Sequence, residues 1–186
     1  SLFQPVLDSL LNEKKEFPRK YLHQFSDIGT LELKILLDVW SRISPSRKLA
    51  LLEGLESMVE SDTLVNFDDF AKAILDDPES AVRGRAIRLL RECEDVKLIP
   101  VFMDIMKHDP DAQTRAEAAI GLNIFVALGE LEEVPADSQR LAEDALLEAA
   151  NGTDDVKVRR RALESLGFSS RPEVAVLIES AFARED

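Results

Sequence analysis

One helix face is written three times in this chain: an arginine, alanine three positions on, then leucine four after that. The copies are Val82-Arg83-x-x-Ala86-x-x-x-Leu90, Thr114-Arg115-x-x-Ala118-x-x-x-Leu122 and Val158-Arg159-x-x-Ala162-x-x-x-Leu166. A degenerate fourth copy is expected at Ser46-Arg47-x-x-Ala50, with Gly54-Leu55 where the leucine should fall. The four arginines are separated by 36, 32 and 44 residues. A face that recurs every few tens of residues specifies stacked helix pairs, because one pair cannot bury that face alone. A single closed core would carry no such period.

The elements between the copies fit this reading. Ser44-Pro45 opens a helix by the cap-then-proline arrangement, and Thr30 is expected to cap the helix that carries Leu33 to Trp40. Phe67, Phe70, Ala71, Ile74 and Leu75 share a helix face that ends at Asp76-Asp77-Pro78, where the proline turns the chain. Asp109-Pro110 repeats that turn 32 residues later, and Pro100 marks either a helix start or a kink. After Leu122 an insertion of about twelve residues, Ile124 to an acidic loop at Glu130–Asp137, explains the longest interval. About eleven helical segments are expected.

Each unit reads as an antiparallel pair. In its second helix Val/Thr, Ala and Leu form one packing stripe, and the small alanine admits a close helix approach. The aspartates six residues before Arg83 and Arg115 sit in the turns, placed to cap a helix and meet an arginine. A ladder of paired charges along the stack is expected.

Aspartate-proline turns, Val-Arg-x-x-Ala-x-x-x-Leu, and a first helix with an internal proline (Leu98-Ile99-Pro100) resemble the bacterial HEAT-type helical repeat family. The resemblance runs over Phe67 to Gly167. The Thr153-Asp154-Asp155 turn lacks the proline, and the Ser46-Arg47 copy lacks the aspartate. The resemblance implies an all-α fold, a right-handed α-α superhelix (a HEAT-like solenoid) of antiparallel helix pairs, with second helices lining the concave side. It divides one solenoid domain, 1–186, into divergent helices at 1–43, repeats at 44–168 and the terminal helix of an incomplete repeat at 169–186. The family is mainly one of scaffolds and adaptors, but a fold alone does not fix a function.

Composition narrows the function. Net charge is −13, from 23 basic and 36 acidic residues, the reverse of what phosphate neutralisation asks. The basic run Arg159-Arg160-Arg161 and the face Arg83-Arg85-Arg88-Arg91 are interrupted in the middle copy, where Glu117 and Ile120 stand instead. His23 and His108 have no His or Cys at ligand spacing, and the paired aspartates lack a calcium-loop pattern. No glycine-rich phosphate loop or serine elbow occurs. The single Cys93 fits a reducing compartment, and no apolar run nears the roughly 18 residues of a membrane span. A cytoplasmic protein without cofactor, metal, membrane or nucleic-acid partner is expected.

The leading reading is therefore a non-enzymatic protein-interaction scaffold that binds through the concave face of its second helices. Its partner-binding positions are Arg85, Arg88, Glu117, Ile120, Arg161 and Glu164, the outward offsets from each motif arginine. An accessory or enzyme of the class that attaches bilin pigments is the alternative, and a nucleic-acid binder the third. The final helix, Pro172 to Ala183, carries an apolar arc of Val174, Leu177, Ile178, Ala181 and Phe182 with Val176 outside it. That arc is wide for one neighbour, so further repeats or a second copy of the chain are expected to cover it.

Overall fold

The computed structural model describes residues 2–184, and every regular element among them is helical. The chain forms two compact units, Ser1–Leu90 and Arg91–Asp186. In the first, α1 (Gln4–Leu11) is followed by a 3-10 helix (Arg19–Phe25), α2 (Thr30–Trp40), α3 (Pro45–Ser61), α4 (Asp68–Ala73) and α5 (Ser80–Leu89). The second contains α6 (Leu98–His108), α7 (Ala112–Gly121), α8 (Asn123–Glu130), α9 (Ala136–Asn151), α10 (Val156–Ser165) and α11 (Pro172–Ala183).

Local chemistry sets the helix starts. Ser44 caps α3 through the Arg47 N–H with Pro45 in the first turn, and Asp111 and Asp155 cap α7 and α10. Thr30 caps nothing: it is the first residue of α2 and Gly29 occupies the cap position without a side-chain bond. Pro100 lies in the first turn of α6, where its missing N–H would have had no partner inside the helix, so it neither starts nor kinks it.

The first unit is built on an aromatic chain. Phe25 and Phe70 are fully buried and meet edge to face at 5.0 Å, with Phe3 on one side and Trp40, 5.6 Å from Phe70, on the other. Such pairs add about 0.5–1.5 kcal/mol each to the burial of the rings themselves. Within it, second helix α3 packs along second helix α5.

In the second unit α6 pairs with α7 and α9 with α10, while α7 lies along α10 and α6 along α9. The nine stripe positions of the three copies (Val82, Ala86, Leu90, Thr114, Ala118, Leu122, Val158, Ala162, Leu166) are all at most 1% exposed. Ser165 Oγ donates to the Ala119 carbonyl at 2.8 Å, tying α10 to α7 inside this packing.

The insertion is a helix and not only a loop. Phe125, Val126 and Leu128 of α8 are buried, and α8 packs on α9. A β-carbon on Gly129 would lie 2.5 Å from that of Gln139, so only glycine permits this approach. The helix stops by a Schellman arrangement, with Glu132 at φ 58° and its neighbour Glu133 donating to the Leu128 carbonyl at 2.8 Å.

Candidate functional site

The turn aspartates are the organising residues. Asp77, buried at 3% exposure, accepts from Trp40 Nε1 at 2.7 Å and from Lys48 Nζ at 2.8 Å through one carboxylate oxygen. Its other oxygen accepts from the Glu79 N–H, and its carbonyl accepts from Arg83. Burial alone would raise this carboxyl. The hydrogen bonds from Lys48, the Glu79 amide and Trp40 outweigh it and hold the group below its ordinary value.

Asp154 repeats the arrangement in the second unit. Its carboxylate takes a two-pronged bond from Arg115, Nε at 3.0 Å and Nη2 at 2.8 Å, and its carbonyl accepts from Arg159. Arg115 also donates to the carbonyl of Asp109, six residues before it. The hydrogen bond from Arg115 holds the Asp154 carboxyl low against its partial burial. At both turns one rule applies: the carboxylate grips a cation on the preceding second helix, and the carbonyl grips the arginine of its own.

That rule corrects the fourth copy. Lys48, not Arg47, occupies the arginine's place on α3, with Leu51 and Leu55 at the alanine and leucine offsets, both buried. Ala50 is exposed. Arg47 takes the position of Val82 and, being buried, points its guanidinium at the carbonyls of Asn12 and Lys15. A lysine for arginine and a leucine for alanine hid this register in the sequence.

The six outward positions do not share one environment. Arg85 and Arg88 of α5 both reach Glu56 of α3, at 3.0 and 2.7 Å, and clamp those two helices. Glu117 is buried, accepting from Arg91 and Gln113. Ile120 is half-buried. Arg161 and Glu164 form an exposed pair along α10 at 2.7 Å. Sequence reasoning missed Glu56, Lys48 and the indole N–H of Trp40. The one signal for the second was its distance from the turn, a cation 29 residues before Asp77 as Arg115 is 39 before Asp154 across the insertion.

Among the described residues, no group of three or more His, Cys, Asp and Glu side chains converges as a metal site would, and no helix is long and apolar enough to cross a membrane. No curated protein and no solved structure matches the chain. A family model describing HEAT repeats matches residues 67–143, from the start of the α4–α5 pair into α9. With the buried stripe and the aspartate turns of that segment, the match has a physical basis: residues 67–143 are similar to HEAT repeats.

Proposed function

We propose that the protein is a non-enzymatic interaction scaffold whose second helices present the partner-binding surface. HEAT repeats are a protein-interaction kind of fold, and the observation that carries the reading is how the motif is used. Its stripe and its arginines are consumed in holding helix to helix, so the repeat is a means of displaying side chains between the structural positions. Of the six outward positions, Ile120, Arg161 and Glu164 remain the ones through which the second unit would bind. Arg85 and Arg88 would contribute only the faces of guanidinium groups already on Glu56.

Affinity capture with the wild-type chain and with Arg161→Glu tests this. Arg161 is exposed, so the substitution should change stability by no more than about 0.5 kcal/mol. A partner protein held by the wild type and weakened by Arg161→Glu is the expected result. Equal capture by both would remove the second-helix surface, and capture of no protein would remove the scaffold reading itself.

Nucleic acid is not the partner in this account. With a net charge of −13, binding to duplex DNA should be weaker than about 10⁻⁵ M at physiological salt. An electrophoretic shift at micromolar protein in that salt would contradict the proposal.

A further inference from the structure

Helix α11 is fixed at its start and uncovered towards its end. Glu130 accepts from the Ser170 N–H at 3.0 Å, Arg171 meets Asp144 at 2.6 Å, and Val174 is buried. Beyond this anchor Leu177, Ile178 and Ala181 are only half-buried, and Phe182 is 69% exposed. Two adjoining pockets that share Arg160, Leu163 and Ala181 form a groove between α10 and α11, with Ile178 and Phe182 lining one and Leu177 and Arg184 the other.

The charge along this groove opposes that of the chain. The part of it that reaches Ala150 is lined by Arg159, Arg160 and Arg184 and by no carboxylate. At the other end the only acidic lining residue is Glu164, and Arg161 already pairs with it. Among the described residues, no carboxylate lies within ion-pair distance of Arg160 or Arg184. In a chain of net charge −13, an apolar floor flanked by the guanidinium groups of Arg160 and Arg184, which have no carboxylate partner among the described residues, is a local inversion.

We propose that this groove binds an acidic amphipathic helix of a partner protein, a reading that rests on the scaffold function above and names its partner's chemistry. Apolar residues of that helix at i, i+3, i+4 and i+7 would cover Leu163, Ile178 and Phe182, and flanking carboxylates would meet Arg160 and Arg184. The walls are helices of 10 and 12 residues, about 15–18 Å long, which suits a partner helix of three turns. Leu163, Leu177 and Ile178 give the floor an aliphatic surface beside Phe182 that suits leucine-like side chains, and arginine favours carboxylates in paired geometry.

The probe is a labelled synthetic helix of about 14 residues with leucine on one face and glutamate beside it, titrated with the full chain by fluorescence anisotropy. Saturable binding, weakened roughly tenfold by Arg160→Glu and again by Arg184→Glu, is expected, with the circular dichroism of both variants unchanged. Both residues are exposed, and the two variants act independently. A shuffled peptide of the same composition should bind far more weakly. The proposal fails if the shuffled peptide or a lysine-for-glutamate version binds as well, if neither variant weakens binding, or if a single-stranded oligonucleotide displaces the peptide at lower concentration. It also fails if light scattering finds a dimer that Arg160→Glu dissociates, which would make a second copy the occupant. Capture of a partner that Arg161→Glu weakens and Arg160→Glu retains would overturn the groove alone and leave the scaffold standing.

Discussion

Asp77→Ala is expected to destabilise the protein by about 3–5 kcal/mol, the cost of removing one member of a buried charge pair. The side chain of Lys48 is 5% exposed and its ammonium lies 2.8 Å from Asp77, so the substitution strands a buried cation beside the Trp40 ring. It also leaves the Trp40 N–H without its acceptor and removes the acceptor of the Glu79 amide. Because Trp40 is the sole tryptophan and lies against this site, its fluorescence in a urea titration reports the loss directly. A midpoint within error of wild type would show that the turn carboxylate holds nothing.

The same group gives a dependence on pH. Its folded carboxyl lies below the ordinary 3.8, so it contributes stability that is present above that value and lost as pH falls through the folded one. Acid unfolding followed through Trp40 should therefore steepen below about pH 4, and Asp77→Asn should flatten that limb. The carboxamide of that variant would keep an oxygen for the indole but lose the charge that Lys48 requires.

What could be read in advance follows from how local each signal is. The stripe Val82-Ala86-Leu90 and its two repeats needed only helical periodicity, and all nine positions proved buried. The aspartate turns were legible because Asp-Pro breaks a helix through its own covalent geometry. Where the aspartates reach was not legible. Trp40 and Lys48 lie 37 and 29 residues from Asp77, and Arg115 lies 39 from Asp154. Arg85 and Arg88 read as outward cations because nothing nearby in sequence marked Glu56 as the residue between them. In α11 the wide apolar arc was visible, but the arginines facing it belong partly to α10 and are seen only once the helices are side by side.

The central claim is that Asp77 and Asp154 each clamp two second helices of their own unit, the carboxylate on one and the carbonyl on the other. Arg115 and Arg161 separate that claim from a general effect of surface charge. Arg115 is 17% exposed, makes the two-pronged bond to Asp154 and reaches the Asp109 carbonyl, whereas Arg161 has one exposed partner on its own helix. Charge-assisted hydrogen bonds of the first kind contribute about 1.5–3 kcal/mol, and exposed pairs of the second about 0.5 kcal/mol or less. Urea denaturation of Arg115→Ala and Arg161→Ala, followed by circular dichroism, should move the first midpoint well below wild type and leave the second nearly unchanged. Equal midpoints for the two variants would contradict the clamp.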